Sequence, residues 1–260
     1  VEDLSVPERV AKIIDAGCDM IGGDHIPEVI VDLVNSGRIG MERIDTSARR
    51  ILREKFILGL FDDPYIDKNA PSILGNANSM AKGIESQKRS LVLLKNENLL
   101  PLRKGTKIFT EGFQKGGTKK YKEYITDLED AAVIVLKLKT PYEKIGDHFI
   151  ERLFHQGRLD FTEEEKQEIL DLIKTKPTVT VINLERPAVF PEINDASKAV
   201  VADFSSQDDV ILDLIFGEFS PEGKLPFELP SSMEAVLNQK EDLPYDSQDP
   251  LYPFGFGLTY

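Results

Sequence analysis

The stretch VIVLKLKTPYEKIGDH, residues 133–148, opens as an apolar run and closes with Glu143, Asp147 and His148. A carboxylic acid and a carboxylate kept in different surroundings can divide proton donation and nucleophilic attack between them, because each environment sets its own pKa. In open parallel sheets ligands collect beyond the carboxyl ends of the strands. A loop that leaves a buried strand at that edge and carries Glu143, Asp147 and His148 is therefore a candidate site for chemistry or binding. The plainer account of any loop carboxylate is a solvated side chain, so position alone does not decide the matter.

A second cluster lies nearer the start. AGCDMIGGDHIP sets Gly22 and Gly23 before Asp24 and His25, two residues that could bind substrate. The alternative is a strand-to-helix turn in which the glycines supply backbone freedom and Pro27 starts a helix. Cys18, in the same run, reads as a small core residue. EGFQKGGTKK has glycines and lysines after an apolar run, but it lacks the Lys-Ser/Thr spacing of a phosphate loop and reads as a turn. The three histidines, His25, His148 and His155, show no compact spacing with other His or Cys ligands. No metal and no cofactor is expected.

These residues need a scaffold. Residues 8–20, 27–36 and 42–58 read as helices; in the last, Ile44, Ala48, Ile51, Leu52, Phe56 and Leu58 recur at helical spacing, and Gly59 sits where a helix ends. DDPYIDKNAPS follows, rich in Asp, Pro and Asn, and reads as a linker across residues 61–77. Beyond it five apolar runs read as strands: SLVLLKN, TKIFTEG, AAVIVLKL, TVTVINL and KAVVADF. Helix-like segments alternate with them, notably NSMAKGIESQKRS, FTEEEKQEILDLIKT and SQDDVILDLIFG. The third run is apolar on consecutive positions, as in a strand covered on both faces. The fold class is thus α/β, a mainly parallel sheet sandwiched by helices over residues 78–230. Thr162 and Glu165 have capping-box spacing. Residues 231–260, rich in Pro, Gly and aromatic side chains, read as an extended tail closing the sandwich.

Composition narrows the partners. A formal charge of −13 opposes binding to nucleic acid, because a phosphate backbone would be repelled. A neutral ligand meets no such objection. The longest apolar runs fall short of the ~20 residues that cross a bilayer, so no membrane span is expected. The single cysteine allows no intrachain disulfide and suits a reducing compartment. No targeting signal is visible, so localisation leans cytoplasmic, although the chain opens on Val1 and a signal could precede it.

Several segments together resemble glycoside hydrolase family 3, the family of β-glucosidases, β-xylosidases and their exo-acting relatives. LVNSGRIGMERIDTSARRILREKFILGLFDDPYID is similar to the end of the family's barrel and its interdomain linker. SLVLLKNENLLPL resembles the start of its second domain, and EGKLPFELP and DPLYPFGFGLTY resemble its closing motifs. The resemblance implies a (β/α) barrel followed by an α/β sandwich, with residues 1–60 as the remnant of the barrel's end. It implies a retaining mechanism in which an Asp nucleophile from the barrel attacks the anomeric carbon and a Glu gives the leaving oxygen its proton. TPYEKIGD resembles the family's acid/base loop, which implies that role for Glu143, with Asp147 as the nearest alternative and His148 beside them as a binding residue. The family's Ser-Asp-aromatic nucleophile motif has no counterpart upstream of AGCDM, so the nucleophile is expected outside this chain, on a missing N-terminal barrel portion.

The expected substrate is a β-linked glucoside or oligosaccharide. Apolar helix faces left without the rest of the barrel predict sticky behaviour or a homodimer. Two other readings stand beside this one: a non-catalytic α/β module that binds sugar or a protein, and a flavodoxin-like or receiver-like domain. The last lacks both an acidic cluster after the first strand and a phosphate-cradling loop.

Overall fold

The computed structural model of the chain describes residues 4–23, 25–145, 153–240 and 242–260. The chain divides into two units, Val1–Leu74 and Gly75–Tyr260.

The first unit contains the helices α1 (Val6–Asp15), α2 (Pro27–Asn35), α3 (Met41–Ile57) and the single turn α4 (Ala70–Ile73), which lies within the segment expected to be a linker. Its core is small: Val10, Ala11, Ile14, Leu33 and Ile39. The helix expected over 8–20 stops at Asp15, because Gly17 takes a left-handed conformation (φ 94°) and its N–H turns back to Ile14 O. Cys18 lies past that stop and is exposed, not in the core. Pro27 does open α2, but no strand precedes it among the described residues. α3 ends at Gly59 (φ 68°), where the Gly59 and Leu60 amides return to Phe56 O and Lys55 O. Ile44 packs against that core, but the end of the apolar stripe is exposed, Phe56 to 64% and Leu58 to 69%.

In the second unit β1 (Val92–Asn96), β2 (Ile108–Glu111), β3 (Val133–Lys139), β4 (Thr178–Asn183) and β5 (Ala199–Asp203) form one sheet in the order β1-β5-β4-β3-β2. β2 to β5 are parallel, and β1 joins β5 antiparallel. The helices are α5 (Ala77–Ser90), α6 (Glu163–Ile173), α7 (Pro191–Ala196), α8 (Asp208–Ile215) and α9 (Met233–Asn238). Strand residues of one parity, such as Val135, Val181 and Val201, pack with Val210, Ile211 and Leu214 of α8. Residues of the other parity, such as Ile134, Ile182 and Ala202, pack with Ile173 of α6, Ile193 of α7, and Leu225, Leu229 and Tyr252. Both faces are buried, which is why the runs are apolar at successive positions.

Thr162 and Glu165 form the expected capping box: Thr162 Oγ1 accepts from the Glu165 amide at 3.2 Å, and Glu165 Oε2 accepts from the Thr162 amide at 2.9 Å. The tail is not wholly extended. Ser232 Oγ accepts from the Ala235 amide at 3.0 Å and starts the six residues of α9, a cap that overrides the Pro-rich surroundings. Beyond it the tail makes isolated bridges: the Leu258 amide donates to Leu93 O of β1 at 2.8 Å, and the Leu229 amide to Tyr252 O at 2.9 Å. The Tyr252 hydroxyl donates to Asn194 Oδ1 at 2.7 Å, and burial pushes this phenol up to about 12. No described helix is long and apolar enough to cross a membrane.

Candidate functional site

β3, β4 and β5 end side by side: Lys139 pairs with Asn183, and Asn183 with Asp203. The loops that follow therefore leave one edge of the sheet, the edge where ligands of open parallel sheets collect. The first residue after β3 is pinned. Thr140 is 2% exposed, and its hydroxyl is within hydrogen-bonding distance of Asn183 O at 2.5 Å and Arg186 O at 3.2 Å. Glu143, four positions beyond β3, sits in an isolated antiparallel bridge with Gln156, its amide donating to Gln156 O at 2.8 Å. Gln156 answers by donating its side-chain amide to Ile145 O at 3.1 Å.

Glu143 is exposed, and its Oε2 accepts from the Arg158 amide at 2.9 Å. Gly157, between the two partners, has φ 77°; a Cβ there would lie 2.8 Å from both Cβ and Cδ of Glu143 and closer still to Oε2. Only glycine leaves room for the carboxylate to meet the Arg158 amide. The Arg158 guanidinium binds Asp160 with two bonds, at 2.8 and 2.7 Å, and chiefly through them holds the Asp160 carboxyl below its ordinary range. Tyr142 stacks on His155 with ring centroids 3.7 Å apart and planes 16° from parallel. His155 Nδ1 in turn meets the Glu185 carboxylate.

An open groove of about 630 Å³ runs beside this loop, lined by Tyr142, Lys144, Phe161, Glu165 and Glu168 among others. Glu143 does not line it. Its neighbours Tyr142 and Lys144 do.

A buried polar cluster at the same edge went unread in the sequence. The Lys137 ammonium binds Asp208 at 2.8 Å and lies 3.8 Å from Asp203. Asp208, 4% exposed, also accepts from the Gln114 amide at 2.8 Å, and Gly117 packs so closely that a Cβ would lie 3.0 Å from Asp208 Cγ. The glycine loop is thus a turn clamped to the start of α8, with Gly117 N–H returning to Gln114 O at 2.9 Å. The available signal is the Asp208–Asp209 pair after a strand, in a segment whose spacing predicts only a helix.

Of the other anticipated site residues, Asp147, His148 and Asp24 lie outside the described residues. His25 is exposed and belongs to the Val1–Leu74 unit. Among the described residues no group of three or more His, Cys, Asp or Glu side chains is arranged to hold a metal ion.

Comparison with known proteins adds a frame to this geometry. The profile of the glycosyl hydrolase family 3 C-terminal domain matches residues 118–260. The whole chain aligns with "Probable beta-glucosidase C" of Aspergillus flavus at 45% identity over 42% of that protein's length. It aligns with "Beta-glucosidase C" of Emericella nidulans at 43% over 43% of its length, and with "Periplasmic beta-glucosidase/beta-xylosidase" of Dickeya chrysanthemi at 40% over 40%. The chain thus spans roughly two fifths of the curated relatives it matches. In fold it resembles a β-glucosidase from Listeria innocua solved with isofagomine, with a TM-score of 0.71 at 22% identity, covering 98% of this chain and 45% of that one.

Proposed function

The chain belongs to glycosyl hydrolase family 3, and on that premise we propose that it is the acid/base-bearing part of a retaining β-glycosidase acting on terminal β-glucosides. One observation carries the reading: Glu143 stands at the carboxyl edge of a parallel sheet in a loop held by the Gln156 bridge and the Arg158 amide. The nucleophile belongs to a barrel portion outside this chain. In the first half-reaction that nucleophile attacks the anomeric carbon, the glycosidic C–O bond breaks, and the proton of the Glu143 carboxyl passes to the leaving oxygen. In the second, the Glu143 carboxylate takes a proton from the water that displaces the nucleophile, so one side chain serves as acid and then as base. Asp147 is the alternative donor, and Asp24, His25 and His148 are proposed substrate-binding residues. The same partial span favours a second reading for the chain in isolation, a module that binds sugar or protein and turns nothing over.

An aryl β-glucoside assay on the protein that unites this chain with the nucleophile-bearing barrel tests the proposal. Glu143→Ala is expected to cut turnover about 10²–10⁴-fold, with azide restoring part of it by attacking the glycosyl-enzyme in place of water. Undiminished activity in that variant removes Glu143 from the role and leaves Asp147 to be tested next.

A further inference from the structure

The widest hold on the Glu143 loop belongs to Arg186, just past the end of β4. Its Nη2 donates to Gly157 O at 2.7 Å and its Nη1 to Pro141 O at 3.4 Å. One guanidinium thus grips both chain limbs that meet at the Glu143–Gln156 bridge. Its own carbonyl lies 3.2 Å from the Thr140 hydroxyl, so the grip is anchored where β3 and β4 end. A planar fork reaches two carbonyls at once in a way that a lysine ammonium on a flexible stem does not. On the far side of the clamp, Gly157 keeps open the space in which Glu143 Oε2 meets the Arg158 amide. Oε1 makes no hydrogen bond among the described residues.

We infer that Arg186 and Gly157 are the positioning residues of the acid/base, and that they divide the Glu143 carboxyl into an anchored oxygen, Oε2, and a reacting oxygen, Oε1. The inference rests on the acid/base reading of Glu143. In glycosylation the Oε1–H bond breaks, the glycosidic oxygen takes that proton together with the electron pair of its bond to the anomeric carbon, and the nucleophile's oxygen bonds to that carbon. The charge left on Glu143 is met at Oε2 by the Arg158 N–H, a bond that strengthens as the carboxyl ionises. In deglycosylation water bonds to the anomeric carbon, its proton passes to Oε1, and the nucleophile leaves as a carboxylate. An anchor fixed before reaction needs no reorganisation during it.

Two readouts separate this inference from the reading beneath it. In the chain itself, Arg186→Ala is expected to raise amide hydrogen exchange at Glu143 and Arg158 about tenfold, the scale of one lost hydrogen bond, while Val135 and Val181 in the sheet keep their protection. Unchanged exchange at both loop amides overturns the inference and leaves the role of Glu143 standing. In the protein with its barrel, Arg186→Ala should lower kcat/KM, which reports the glycosylation step, about 10²-fold on glucosides whose leaving alcohol needs protonation, with far less effect on an activated aryl glucoside, and Arg186→Lys should recover part of the loss. An equal loss on both substrates overturns it. If Arg186→Ala strips protection from the sheet as well, Gly157→Ala carries the test: the same leaving-group dependence supports the inference and full activity on both substrates overturns it. Undiminished activity in Glu143→Ala sinks the underlying reading whatever the exchange data show.

Discussion

In the Gly75–Tyr260 unit helices and tail cover both faces of the sheet, and Ile182, Val201 and Leu212 are fully buried; in the Val1–Leu74 unit α3 turns Leu52, Phe56, Ile57 and Leu58 to solvent. Apolar content does not explain the contrast, since both regions are rich in it. A sheet with both faces covered closes its own core within one stretch of chain. A few helices bury only the stripe that has a partner, and the remaining stripe stays in water at a cost proportional to its area. Completeness of layers therefore decides which region is self-sufficient.

The contrast breaks most directly at Leu212. Leu212→Ala should destabilise the sandwich by about 2–5 kcal/mol, seen as an earlier urea transition in the exchange of β4 and β5 amides; a shift near zero would mean that this core is loosely packed. Next in size is an effect of pH. The Tyr252 phenol is raised to about 12 by burial, so its contribution is whole below the unfolded value of about 10 and is lost as pH rises through 12, on the order of 2 kcal/mol. Tyr252→Phe should remove that alkaline dependence, and a variant with the parent's pH profile would show the hydroxyl to be idle. A smaller loss, about 1 kcal/mol, is expected from Thr162→Ala, which takes away the cap of α6; the measurement is the urea midpoint, with Thr162→Ser as the restoring variant. Smallest of all, Phe56→Ser on the uncovered stripe should move stability by no more than about 0.5 kcal/mol while reducing self-association in sedimentation. A large loss of stability there would show that α3 already has a partner.

The sandwich was legible because its signals are local. The five runs announce strands on consecutive residues, and the Thr162–Glu165 spacing fixes where α6 begins. What escaped was set by single backbone angles or by contacts distant in sequence. Gly17 ends α1 early and leaves Cys18 outside the core. Ser232 starts a helix too short to show a period. The proposal for Glu143 comes from its loop's resemblance to a known motif. Arg186 escaped, because its meaning lies in two carbonyls 45 and 29 residues away. The Lys137–Asp208 pair, 71 residues apart, was invisible for the same reason.

The backbone bond from Leu258 to Leu93 carries a practical warning. β1 is a border strand of the sheet, and such borders readily recruit strands from neighbouring molecules. By lying across that margin, the closing residues act as a stopper against fibre-like stacking. Trimming them, or fusing a bulky tag there, would invite aggregation even though no residue of the Glu143 loop had been touched.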